Sequence, residues 1–152
     1  MKMSKGFARA SRRAMLLALC AALLAGCEST GTMSGHSQSC SSSEGLFSGR
    51  AASCEGTAET LGGRMGIEFS DYDDFSGEYR LEASISVEEG AADVYAPGAD
   101  GEELSLGSVS AGEPLTVDET VELSGDDDVF SLDAGEKGEV RGLRYEGTVT
   151  PL

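Results

Sequence analysis

Apolar and polar positions alternate with period two through most of the chain beyond about Gly45. Leu61, Gly63, Met65, Ile67 and Phe69 alternate with Gly62, Arg64, Gly66 and Glu68. After a polar loop from Ser70 to Gly77, Tyr79, Leu81, Ala83, Ile85 and Val87 alternate with Arg80, Glu82, Ser84, Ser86 and Glu88. One apolar face and one charged face are what a half-buried antiparallel strand requires, and the two runs together predict a hairpin. Shorter segments follow: Asp93 to Ala96, Glu103 to Leu106, Leu115 to Leu123, Val129 to Asp133 and Gly142 to Val149. They are separated by turn signals at Pro97-Gly98, Asp100-Gly101, Gly112, Gly125, Gly135 and Gly138. Glu119 falls on the apolar side of its run, between Val117 and Val121, which predicts a bulge or a sheet edge. No helical stripe of useful length follows residue 27. The pattern predicts an all-β fold over residues 45–152, a small antiparallel β-sandwich, with a small open barrel as the rival.

The N-terminus has a different logic. A basic stretch runs to Arg13, an unbroken apolar and small-residue run from Ala14 to Ala25 follows, and Gly26 and Cys27 close it. This order is that of a secretory signal peptide, and the apolar run is well short of the roughly 20 residues that span a bilayer as a helix. The residues Leu24-Ala25-Gly26-Cys27 resemble the lipobox of bacterial lipoproteins at all four positions. The resemblance implies transfer of a diacylglyceryl group to the Cys27 thiol and cleavage between Gly26 and Cys27. Two or three acyl chains, at about 0.8 kcal/mol per buried methylene, then form a stable anchor. The expected location is extracytoplasmic, on the cell membrane, or on an outer membrane where one exists; Glu28 follows the cysteine in place of the aspartate that retains many lipoproteins at an inner membrane. Ser11-Arg12-Arg13 also partly resembles a twin-arginine export signal, leaving two export routes open.

From Leu81 to Val149 the chain is similar to small extracytoplasmic β-sandwich modules of bacterial lipoproteins. The similarity is carried by Asp100-Gly101, the Phe130-x-Leu132-x-x-Gly135 step, and Gly142 and Gly147 around Leu143-Arg144-Tyr145. It implies architecture and no activity.

Between leader and fold, Glu28 to Ser43 reads ESTGTMSGHSQSCSSS, with Met33 as its one large apolar residue. Such a composition does not offset its ordering entropy, so residues 27–44 are expected to be a lipidated cysteine and a flexible tether. The stretch from Glu28 to Ser39 would reach at most about 40 Å. His36, the one histidine, reads as a solvated linker residue and not as a metal ligand. Once Cys20 leaves with the leader and Cys27 is lipidated, Cys40 and Cys54 remain, and an even pair in an exported chain is most simply a disulfide.

Charge and composition narrow the functions. The chain of 152 residues carries 27 acidic and 11 basic side chains, for a net charge of −16. Five of the bases lie in the leader, so the remainder sets six bases against those 27 acids, a net −21. A nucleic-acid partner is excluded, because phosphate neutralisation needs a basic face. Nucleophilic catalysis has little to work with: the expected domain has no histidine, no free thiol if the disulfide forms, and Lys137 as its one amine. The expectation is a non-catalytic binding, envelope-structural or accessory module with an envelope or extracellular protein or glycan as partner. A carboxylate-based hydrolase of cell-wall or surface glycans is the alternative. No cofactor is implied, although Asp71, Asp73 and Asp74 in one cluster and Asp126, Asp127 and Asp128 in another are candidate calcium ligands. Tyr72 and Phe75 either form a contact surface or fold back over the sandwich.

Overall fold

A computed structural model describes residues 31–45, 49–69, 75–125 and 128–152. Ten strands follow in order: β1 (Thr32–Ser34), β2 (Ser37–Gly45), β3 (Gly49–Gly62), β4 (Arg64–Ile67), β5 (Ser76–Ser86), β6 (Ala91–Pro97), β7 (Glu103–Ser110), β8 (Leu115–Ser124), β9 (Phe130–Asp133) and β10 (Glu139–Pro151). They form two antiparallel sheets. The six-stranded sheet runs β1-β3-β10-β5-β8, with β2 also on β3, and the four-stranded sheet runs β4-β9-β6-β7. From β3 onward this is the strand order of a jelly roll, in which every connection except the β6–β7 turn crosses between sheets. Two separate sheets exclude the open barrel.

The hairpin expected between the 61–69 and 79–87 runs does not form. β3 ends at Gly62, Gly63 takes a left-handed φ of +67°, and β4 continues in the opposite sheet, paired with β9. Alternation persists through the switch because each half faces the same core from its own side. β5 pairs instead with β8 and β10. Glu119 lies opposite Leu81 on β8, an edge strand with unbroken register from Ser76↔Ser124 to Ile85↔Leu115, so the edge reading holds without a bulge. The position faces inward, and Glu119 remains exposed beside the core, a placement that discourages strand addition. Arg80 on β5 ties this strand down through a two-pronged contact with Asp118, both distances 2.7 Å.

The larger correction concerns residues 27–44. Strand structure begins at Thr32, and β2 pairs with β3 from Ser37↔Thr57 to Gly45↔Gly49. β1 continues the same register upstream, from Ser34↔Thr60 to Thr32↔Gly62, interrupted only at Gly35 and His36. From Thr32 onward the expected tether is therefore an edge strand of the sandwich, while residues 27–30 lie outside the described residues. Cys40 and Cys54 are direct partners in that register and are joined by a disulfide, with Cα atoms 4.1 Å apart.

The core lies between the sheets. Leu61, Leu81, Ile85, Leu123, Leu143 and Val149 from one meet Ile67, Val94, Phe130 and Leu132 from the other, all essentially fully buried. Phe130 packs edge-on against Phe69 and Tyr145, with ring centres 6.4 and 5.7 Å away. Large rings require small neighbours: β3 presents Ala52, Cys54, Gly56 and Ala58 inward, and a Cβ on Gly56 would run into the ring of Tyr145, its direct partner on β10 of the same sheet.

Closing a loop with a sequence separation of 14 constrains the unfolded chain. Replacing both Cys40 and Cys54 by Ser is expected to lower stability by about 3 kcal/mol in urea denaturation. A loss below about 0.5 kcal/mol would show that the β2–β3 pairing holds without the bridge.

Candidate functional site

Two concave polar surfaces stand out, one on the outer face of each sheet. Strand alternation places Ser37 and Ser39 of β2, Glu55 and Thr57 of β3, Glu146 and Arg144 of β10, and Ser84 and Ser86 of β5 on the solvent side of the larger sheet. The register sets them in two rows. Ser39, Glu55, Glu146 and Ser84 form one; Ser37, Thr57, Arg144 and Ser86 form the other. Together they line an open trough of about 480 Å³. Glu55 and Glu146 are direct cross-strand partners, and both are exposed. Like charges so placed repel, so the fold gains nothing from this pair.

Below the trough, Tyr145 points into the core while its hydroxyl reaches the edge strand. The phenol donates to Gln38 Oε1 at 2.7 Å and accepts from His36 Nε2 at 2.9 Å. Gln38 Nε2 in turn donates to the Glu68 carbonyl at 2.8 Å. His36 is exposed, as expected from the sequence, but it sits at the sheet edge and not in a linker, where it helps satisfy a buried hydroxyl. Burial pushes the Tyr145 phenol up to about 12.

The second surface is a smaller groove of about 290 Å³ on the four-stranded sheet, lined by Arg64, Tyr95, Glu102, Glu103, Asp128 and Ser131 among others. Arg64 of β4 lies over the Tyr95 ring, 5.0 Å from its centre, pairs with Glu103 and donates to Ser131 Oγ at 3.0 Å. The hydrogen bond that Arg64 donates to Glu103 holds the guanidinium proton more firmly than usual, in spite of partial burial. A Cβ on Gly66 would occupy the space of the Asp128 carboxylate, which would have to move aside. Arg64 fills the groove with protein contacts, leaving the trough as the more open of the two surfaces.

The residues singled out from the sequence are distributed differently. Gly26 and Cys27 lie outside the described residues, as do Asp71, Tyr72, Asp73, Asp74, Asp126 and Asp127. Asp128 lines the groove. Among the described residues no group of His, Cys, Asp and Glu is arranged to hold a metal ion. Phe75 is buried, 5% exposed, and packs edge-on against Tyr79, which removes it from any exposed contact surface. The strand ends around the two acidic segments meet, since Gly125 N–H donates to the Phe75 carbonyl and Val129 N–H to the Ile67 carbonyl. Sequence reasoning missed Glu55, Glu146 and Arg144. Their outward positions follow from period-two alternation, but their meeting depends on the β3–β10 register, which the sequence does not display.

No family model and no curated protein matches the chain. Among solved structures it is similar to procruciferin, an 11S globulin from Brassica napus (15% identity over 66% of this chain, TM-score 0.32). It is also similar to the PRD1 vertex protein P5 (18% identity, 57% of this chain and 65% of that one, TM-score 0.33). A third likeness is to an exo-beta-1,3-galactanase from Phanerochaete chrysosporium (11% identity, 79% of this chain and 29% of that one, TM-score 0.34). The chain spans about a fifth of the globulin's length. These likenesses carry no argument about function.

Two outcomes test this geometry. Glu146→Gln is expected to raise stability by about 0.2–1 kcal/mol at low salt, with the gain shrinking at high salt, in paired urea titrations. For Tyr145, the unfolded phenol ionises near 10 and the folded one at about 12. Above pH 10 the unfolded state releases its proton first, so this group's contribution is complete below pH 10 and lost as pH rises to about 12. Wild type should lose stability relative to Tyr145→Phe across that window; parallel pH curves would contradict the buried phenol.

Proposed function

We propose that the protein is a bacterial lipoprotein: a non-catalytic binding, envelope-structural or accessory module held outside the cytoplasm by lipid on Cys27. The observation that carries this reading is the order of the leader, a basic start, an apolar run and then Leu24-Ala25-Gly26-Cys27. The Cys40–Cys54 disulfide supports it, since such bridges persist in oxidising compartments. So does the acidic composition, which keeps a surface-tethered domain soluble. The described residues contain no helix long and apolar enough to cross a membrane. The trough on the larger sheet is the contact surface we assign. Its serine and threonine hydroxyls, two carboxylates and one guanidinium suit a hydroxyl-rich glycan or a polar protein segment.

A carboxylate-based hydrolase of cell-wall or surface glycans has the Glu55–Glu146 pair in its favour. Both side chains are exposed on an open sheet face, whereas acid–base catalysis draws on a site that excludes water. The binding reading is therefore preferred.

Cys27→Ser tests the anchor. Native protein is expected to incorporate labelled palmitate and to sediment with membranes, while the variant takes up no label and keeps its leader uncleaved. A variant that still takes up label, or a wild type that takes up none, would contradict the proposal.

A further inference from the structure

Resting on the lipid anchor proposed above, we infer that the sandwich stands on the headgroup layer by one defined end, with its polar trough opening sideways along the membrane surface. Between Cys27 and the first strand residue, Thr32, the backbone reaches at most about 18 Å when fully extended, less than half the reach of the expected tether. Thr32 has no slack of its own, because it is paired with Gly62 and continues in register with β2 along β3. Half-buried Met33, packed against the core, holds this segment in place.

The strand directions then decide which end faces the lipid. β1 and β2 leave the anchor and run to Gly45, about 43 Å further at roughly 3.3 Å per residue. The anchored end comprises Gly62, Glu139 opposite it, the short 3-10 turn Gly135–Lys137, and the Glu89↔Arg141 bridge. The distant end comprises the Gly45↔Gly49 turn, the Ser76↔Ser124 pair and the C-terminus, where Leu152 N–H donates to the Glu78 carbonyl. Charge disfavours lying flat. The anchored end is itself acidic, with Glu89, Glu136 and Glu139 exposed beside Arg141. Laying the larger sheet down, however, would add Glu55, Glu82, Asp118 and Glu146, and the smaller one Asp93, Glu103 and Asp133, to the carboxylates within the Debye length of an anionic bilayer, about 8 Å.

The trough follows from this placement. Thr57 lies on β3 about 17 Å from Gly62, so with the leash included the trough sits within about 35 Å of the lipid and faces along the membrane. Its partner is accordingly one that lies close to the anchoring bilayer.

The test uses full-length lipidated protein in vesicles of phosphatidylethanolamine and phosphatidylglycerol with acceptor-labelled headgroups. A donor dye is placed on Glu136→Cys at the anchored end or on Leu152→Cys at the distant end; both wild-type side chains are exposed, and the native disulfide is kept closed. Energy transfer is expected to be several-fold greater from position 136 than from 152, and a long Gly/Ser insertion after Glu28 should erase the difference. Equal transfer from both positions without the insertion, or greater transfer from 152, would overturn the orientation. Failure of the anchor reads differently: neither labelled protein floats with the vesicles, and both proposals fall together.

Discussion

Pairing along β3 is the constraint on which the rest of the molecule depends. One side of this strand bonds to β10 from Gly62↔Glu139 to Ala52↔Val149; the other takes β1 and β2 in a single register from Thr32 to Gly45. That register makes Cys40 and Cys54 direct partners, brings Gln38 and His36 to the Tyr145 hydroxyl, and sets Glu55 against Glu146. It also fixes how far the folded domain begins from the residue expected to carry lipid. A one-residue slip would turn Cys40 and Gln38 to the opposite face and undo all of these at once.

Apolar burial and solvent exposure divide between the two faces of the larger sheet. Inward, small β3 residues admit the Tyr145 ring, and every buried side-chain polar atom among the described residues has a partner. Outward, hydroxyls and carboxylates face water, with two glutamates held side by side at some cost to folding.

The sequence revealed the strands whose inward residues are large. β5 reads cleanly because Tyr79, Leu81, Ala83 and Ile85 alternate with charged or hydroxyl residues, and β10 because Leu143, Tyr145 and Val149 do the same. β2 was hidden because an edge strand buries little, so Gln38, Cys40 and Ser42 occupy its inward positions and the stretch reads as a linker. The first half of β3 was hidden for a related reason: its inward residues, Ala52, Cys54 and Gly56, are small because a tyrosine from β10 fills the space. The false hairpin arose at Gly63, where alternation continues across a change of sheet. The cysteine pair was legible from count and compartment alone, whereas the trough was not, since it exists only once three long-range registers are set.

The central claim is that Cys27 is the mature first residue, carries lipid, and holds the sandwich close to a membrane. Mass spectrometry of the N-terminal peptide from protein extracted from native membranes tests it most directly. The account predicts a peptide that begins at Cys27 and bears a thioether-linked diacylglyceryl group. A peptide that retains the leader, or one that begins at Cys27 with an unmodified thiol, would contradict it.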